Sequence, residues 1–66
     1  MEILLNGERR ELPPGQTVAV LLQASGRAQA RVAVEVNREI VPRSLHSSHL
    51  LSDGDRVEII QAMGGG

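Results

Sequence analysis

The sequence ends in three consecutive glycines, and the carboxylate that follows them is the group with the clearest chemical use. Gly64, Gly65 and Gly66 lack a Cβ, so they adopt any backbone conformation and fit a channel that would reject side chains. Fully extended, they place the carboxylate about 10 Å beyond the preceding residue. A second protein that bound this ionised carboxylate together with ATP could let it attack the α-phosphate, which would produce an acyl-adenylate.

His46, His49 and Asp53 form a second group with a recognisable spacing. Two histidines three residues apart, followed by a carboxylate, are a spacing that a metal site can use. No further ligand follows at a defined spacing, and the histidines stand in a serine-rich segment with no nucleophile motif around it. We therefore interpret this segment as a structural loop and not as a metal or catalytic site.

The composition excludes several classes of protein. A chain of 66 residues is one small domain, and the absence of cysteine removes both a disulfide framework and a thiolate zinc site. The chain has seven basic and eight acidic residues and no aromatic residue. It therefore lacks the excess positive charge and the stacking side chains by which proteins bind nucleic acids. No segment resembles a signal peptide or a membrane span, so we expect a soluble, cytoplasmic domain without nucleic-acid or membrane partners.

The first elements predicted upstream of the tail are a hairpin and a helix. Alternation around Ile3 and Leu5 predicts a half-buried strand, and Asn6-Gly7 is a strong signal for a tight turn into a return strand over residues 8–12. Thr17 is suited to begin a helix, because its hydroxyl can cap the first turn. Residues 18, 21, 22 and 25 share one face of that helix, and Gly26 is suited to end it.

The second half of the sequence predicts three more strands. The segment over residues 31–36 alternates valine with other residues, and residues 37–39 form a turn into a short strand at Ile40-Val41. Residues 43–52 predict a loop with one short helical turn. A final strand over residues 56–63 runs directly into the glycines.

This order predicts an α+β domain in which one helix covers one face of a four- or five-stranded sheet. The predicted core on the helix side consists of Ile3, Leu5, Leu12, Val32, Val34, Val36, Val57 and Ile59. The opposite face is left for a partner, and contiguous exposed apolar residues mark such a surface. We expect Leu4 and Ile60 to be neighbours if the first and last strands pair. The predicted partner-binding face consists of Leu4, Ala33, Ile60 and Ala62, with Met63 at the root of the tail.

The chain resembles the ubiquitin-like β-grasp family, because a compact strand–strand–helix–strand order ends in Gly-Gly. The segments VAVEVNREIVPRS (residues 32–44) and DGDRVEIIQAMGGG (residues 53–66) are similar to the sulfur carrier proteins of thiamine biosynthesis, the ThiS family. The segments LNGE and GQTVAVLL nearer the start fit the same family, so the resemblance covers the whole chain. The third glycine departs from the family pattern, which needs two.

The resemblance implies a β-grasp domain over residues 1–63, a flexible tail over residues 64–66, and a stoichiometric carrier that is not an enzyme. An adenylating, E1-like enzyme would use ATP to activate the Gly66 carboxylate, and a sulfur donor protein would convert it into a thiocarboxylate. Thiazole synthase would then receive the sulfur. Gly64 and Gly65 would be recognised as the lead of the tail, and the carrier itself would bind no cofactor or metal.

Three alternatives are compatible with the same residues. The small subunit of molybdopterin synthase also ends in Gly-Gly, but it is typically longer and has prolines before its tail. A ubiquitin-like protein modifier would leave isopeptide conjugates of Gly66 on target lysines. A β-grasp module that only binds a partner would keep its function after deletion of Gly65 and Gly66.

Overall fold

The computed structural model describes residues 1–27 and 31–61, so the predictions made for Ala62, Met63 and the three glycines lie outside the described residues. Five strands, one α-helix and a short 3₁₀ turn make up the described part. In chain order they are β1 (Glu2–Leu5), β2 (Glu8–Glu11), α1 (Val18–Ala24), β3 (Val32–Val36), β4 (Glu39–Val41), the 3₁₀ turn (Arg43–Leu45) and β5 (Arg56–Gln61).

The strands form a single mixed sheet in the order β2-β1-β5-β3-β4. β1 and β5 run parallel, while the pairs β1–β2, β3–β4 and β3–β5 are antiparallel. The last strand of the sequence therefore lies at the centre of the sheet, beside the first strand. This arrangement, with one helix on one face, is the β-grasp fold, which confirms the predicted fold class.

Both hairpins turn through two residues that have positive φ. Asn6 (φ 49°) and Gly7 (φ 83°) connect β1 to β2, and Asn37 (φ 53°) and Arg38 (φ 69°) connect β3 to β4. Positive φ at both central positions is the type I′ turn, whose twist matches that of the flanking strands. The first turn confirms the sequence prediction. In the second, β4 begins at Glu39, which the sequence analysis placed within the turn.

The helix begins and ends at the residues that the sequence indicates. The Thr17 hydroxyl accepts a hydrogen bond from the Val20 N–H at 3.2 Å, which caps the first turn. At the other end Gly26 has φ +74°, its N–H donates to the Gln23 carbonyl, and the Arg27 N–H donates to the Leu22 carbonyl. These two bonds form a Schellman motif, which needs a left-handed residue at the position of Gly26.

The core lies between the helix and one face of the sheet. Six of the eight predicted sheet residues are buried, and Leu12 and Val32 are partly buried at the edge. Val41 and Leu51 belong to the core as well, although the sequence analysis left them out. The full buried cluster is Ile3, Leu5, Val18, Leu21, Leu22, Val34, Val36, Val41, Leu51, Val57 and Ile59. Across the described ranges, no helix has the length and apolar character needed to cross a membrane.

Candidate functional site

β5 is the strand that leads to the glycine tail, and its two neighbours, β1 and β3, pair with it over different lengths. β3 pairs with it from Val36 opposite Val57 as far as Val32 opposite Gln61. β1 pairs with it only through Leu4 and Leu5, which lie opposite Arg56 and Val57. The part of β5 nearest the tail therefore extends beyond the end of β1 and depends on β3 for its strand pairing.

The side chain of Asn6 continues the pairing of β1 with β5 after the main chain has turned away. Its backbone N–H donates to the Val57 carbonyl at 2.9 Å. Its Oδ1 accepts from the Ile59 N–H at 2.8 Å, and its Nδ2 lies 3.4 Å from the Ile59 carbonyl. A primary amide presents a donor and an acceptor side by side, as a backbone residue does. Asn6 thus takes the place of the next residue of β1.

Asn37 has the corresponding role at the start of β5. Its backbone N–H donates to the Arg56 carbonyl at 2.7 Å, and its Oδ1 accepts from the Arg56 N–H at 3.0 Å. Its Nδ2 also donates to Asp55 Oδ1 at 3.0 Å. From the sequence, both asparagines are predicted only as turn residues. Asparagine at the first position of each turn is the sequence signal for this contact with β5, because its side-chain amide can also reach a neighbouring strand.

The predicted partner-binding face is only partly contiguous. Ala33 and Ile60 lie directly opposite each other on β3 and β5, both are exposed, and we call them the tail-proximal apolar pair. Leu4 is half-buried and lies opposite Arg56 on β5 and Arg9 on β2. Ile60 is four residues beyond Arg56 on β5, which is about 13 Å along the strand. The expectation that Leu4 and Ile60 are neighbours is therefore wrong.

A row of acidic residues separates the two apolar parts of this face. Glu35 and Glu58 lie directly opposite each other on β3 and β5, between the level of Leu4 and the level of Ile60. Both residues are half-buried, and like charges in direct opposition are unfavourable for a sheet. The register of β1 against β5 sets the level of Leu4, and the register of β3 against β5 sets the level of the acidic row; the sequence predicted neither register.

The histidine segment supports the helix. His46 is 7% exposed, and its Nε2 lies 3.0 Å from the Val41 carbonyl oxygen. The carbonyls of His49 and His46 accept hydrogen bonds from the N–H groups of Val18 and Ala19, at 3.0 Å and 2.9 Å. Those N–H groups have no acceptor inside the helix. Within residues 1–27 and 31–61, no cluster of three or more potential metal ligands is found.

Comparison with known proteins agrees with this fold over the whole chain. The sequence profile of the ThiS family matches residues 3–66. The sulfur carrier protein ThiS of Escherichia coli is 38% identical over 66 residues, which are 100% of each chain. The crystal structure of the thiamine biosynthesis protein ThiS from Geobacter metallireducens superposes with a TM-score of 0.86 at 36% identity and covers 100% of both chains.

A larger protein contains a segment of the same kind. The thiazole synthase of Paramagnetospirillum magneticum is 42% identical over 66 residues, and the chain spans only 20% of that protein's length. The fold and the family profile together define a ubiquitin-like β-grasp protein. The chain belongs to the ThiS family, the sulfur carrier proteins of thiamine biosynthesis.

The role of Asn6 can be tested by substitution with glycine, which keeps the turn and removes the amide. We expect Asn6→Gly to lower the free energy of unfolding by about 1–2 kcal/mol, because two hydrogen bonds to Ile59 are lost. Amide hydrogen exchange should show faster exchange at Ile59, while Arg56 keeps its protection. Asn37→Gly is the matched control: exchange should become faster at Arg56, while Ile59 keeps its protection. Unchanged exchange at Ile59 in Asn6→Gly would contradict the assignment.

The histidines can be separated in the same way. We expect His46→Ala to cost about 1–3 kcal/mol of unfolding free energy, because it leaves the buried Val41 carbonyl without its partner. His49→Ala should cost less than about 1 kcal/mol, because its side chain is only half-buried. Urea unfolding with and without added zinc measures both effects. A zinc-dependent rise in stability that either substitution abolishes would instead indicate a metal site.

Proposed function

We propose that Gly66 carries sulfur as a thiocarboxylate, and that the chain acts as a stoichiometric co-substrate of partner enzymes rather than as an enzyme. The observation that carries this proposal is the match to the E. coli sulfur carrier over its full length, together with a family profile that extends through Gly66. Gly64 and Gly65 form the lead that a partner recognises.

Activation begins at the Gly66 carboxylate. One carboxylate oxygen attacks the α-phosphorus of ATP, the bond to the β-phosphate breaks, and pyrophosphate leaves. The product is an acyl-adenylate, in which AMP is a good leaving group. The adenylating enzyme binds the ATP in this scheme, so the carrier supplies only the nucleophile and the surface by which the enzyme holds it.

Sulfur then replaces AMP. Hydrosulfide, either added in a reconstituted reaction or released by a donor protein, attacks the Gly66 carbonyl carbon. The bond to the AMP oxygen breaks, AMP leaves, and a proton from the hydrosulfide is released to water. The result is a C-terminal thiocarboxylate, whose sulfur thiazole synthase accepts. This chemistry needs no thiol on the carrier, which agrees with the absence of cysteine from the sequence.

The described structure supports this proposal through the position of β5. The strand is central, Asn6 and β3 hold it up to its last described residues, and the tail continues from it. The tail-proximal apolar pair, Ala33 and Ile60, lies on the face opposite the helix and close to the end of β5. We propose that the adenylating enzyme and thiazole synthase contact this pair, with Ala62 and Met63 continuing the surface.

Thiazole synthase is proposed as the acceptor because a segment similar to this chain occurs within the thiazole synthase of P. magneticum. When two domains are joined in one protein of a relative, the corresponding separate chains are commonly binding partners. The adenylating enzyme and the sulfur donor follow from the chemistry, since a carboxylate must be activated before sulfur can displace one of its oxygens.

Truncation of the tail tests the proposed function. We expect deletion of Gly65 and Gly66 to abolish ATP–pyrophosphate exchange by the adenylating enzyme of the same organism. The terminal carboxylate would then lie two residues short of the position from which it attacks ATP. The free energy of unfolding should change by less than about 1 kcal/mol, as for a surface substitution. Equal exchange by the truncated and full-length chains would show that the chain is a binding module. A large loss of stability would show that the tail is packed against the domain.

The two exposed isoleucines of the same sheet face provide a matched pair for the docking surface. Ile60 is 52% exposed beside Ala33, and Ile40 is 67% exposed on the edge strand β4, opposite Glu35. We expect Ile60→Ser to raise the concentration of carrier needed for half-maximal pyrophosphate exchange by about tenfold, the effect of losing an apolar contact at an interface. Ile40→Ser should leave it unchanged. The proposed surface is wrong if both substitutions act equally.

A further inference from the structure

The sheet becomes narrower toward the tail. β4 pairs with β3 only as far as Val34, and β1 pairs with β5 only as far as Val57. Beyond the level at which Val34 lies opposite Ile59, the described ladder consists of β3 and β5 alone. Two strands on their own are marginally stable in water. The last part of β5 therefore depends on how firmly the level of Ile59 is held.

The Asn6 side chain holds Ile59 on the side where β1 has ended. Along this side of β5, the Asp55 carbonyl accepts from a backbone N–H of β1 and the Val57 carbonyl accepts from the Asn6 N–H, both at 2.9 Å. The next residue on this side is Ile59, whose N–H donates to Asn6 Oδ1 at 2.8 Å and whose carbonyl lies 3.4 Å from Asn6 Nδ2. Among the described residues, Asn6 is the last to pair with β5 on this side.

The turn itself does not require this contact. A type I′ turn accepts glycine, asparagine or aspartate at its first position. The side chain of a turn asparagine commonly bonds to its own backbone two residues on. Both polar atoms of the Asn6 amide instead face a strand 53 positions away in the sequence. The orientation of this amide therefore serves β5 rather than the turn.

We infer that Asn6 is a positioning residue for the reaction at Gly66, an inference that rests on the proposed function. The Asn6 amide holds the peptide groups on both sides of Ile59, and these groups set the direction in which β5 continues. Gly66 is seven residues further along, up to about 23 Å in an extended chain. A change of direction at Ile59 displaces the point from which the tail reaches the partner, and a misplacement of about 1 Å can lower a reaction rate about a hundredfold.

A positioning role and a purely structural role change different kinetic constants. The assay is ATP–pyrophosphate exchange by the adenylating enzyme of the same organism, with the carrier as the varied substrate. If Asn6 only stabilises the fold, its loss lowers the concentration of folded carrier, which raises the apparent KM and leaves kcat unchanged. If Asn6 directs the tail, the bound carrier holds Gly66 in the attacking position for less of the time, which lowers kcat.

Two substitutions at position 6 test this difference. We expect Asn6→Gly to lower kcat by about three- to tenfold, while the apparent KM changes by less than about twofold. Asn6→Asp keeps the preference for this turn and the acceptor for the Ile59 N–H. It should therefore retain at least about half of the wild-type kcat, as expected for a partial replacement of the amide.

Two further variants are matched controls. Asn37→Gly removes the same kind of amide contact from the other end of β5, at Arg56, which β1 also pairs with. Thr17→Ala removes the helix cap, which destabilises the fold at a position away from β5. Both should keep the wild-type kcat. Urea unfolding at the assay temperature checks that every variant is folded.

The NMR order parameter of the Gln61 N–H gives a readout on the carrier alone. It should fall in Asn6→Gly and keep the wild-type value in Asn37→Gly, because only the first variant releases the tail-side part of β5. An unchanged order parameter in Asn6→Gly would overturn the inference.

The kinetic results separate the failure of this inference from the failure of the proposed function. If the wild type supports exchange and Asn6→Gly keeps its kcat, or if Thr17→Ala loses as much kcat, the inference is wrong and the proposed function stands. A rise in KM alone in Asn6→Gly would likewise overturn the positioning role. If the wild-type chain supports no exchange, the proposed function is wrong and the inference fails with it.

Discussion

The parallel pairing of the first and last strands is the constraint on which the rest of the structure depends. It brings Leu5 beside Val57, more than fifty positions apart in the sequence, and makes β5 the central strand. The helix then covers one face, where Ile3, Val34 and Val57 are almost fully buried. A domain this small has few apolar residues to bury, so placing the last strand at the centre secures it better than an edge position would.

The central position of β5 also bears on the proposed role of Gly66. If a partner enzyme acts on the Gly66 carboxylate, the strand that precedes it must stay in place during that step. β1 is too short to pair with β5 up to that root, and the Asn6 amide extends the pairing to Ile59. Asn37 fixes the other end of β5 by the same backbone-like contact at Arg56. One residue type thus serves both as a turn residue and as a strand partner.

Local features of the fold were predictable from the sequence, and distant ones were not. The Asn6-Gly7 turn, the Thr17 cap and the Gly26 stop follow from the conformational preferences of those residues alone. The separation of Leu4 from Ile60 depends on a parallel register between strands that are far apart in sequence, for which alternation gives no signal. His46 and Leu51 are in a segment without periodicity, and only tertiary contacts bury them. The tail residues were singled out by composition and by family resemblance.

The central claim is that Gly66 carries sulfur, and intact-mass spectrometry with fragmentation of the C-terminus tests it most directly. The chain should be purified from its native host, or from cells that also express an adenylating enzyme and a sulfur donor. We expect a fraction heavier by the replacement of one oxygen with one sulfur, with the added mass on Gly66. If only the unmodified carboxylate is found when ATP, the adenylating enzyme and a sulfur source are all supplied, the claim is contradicted.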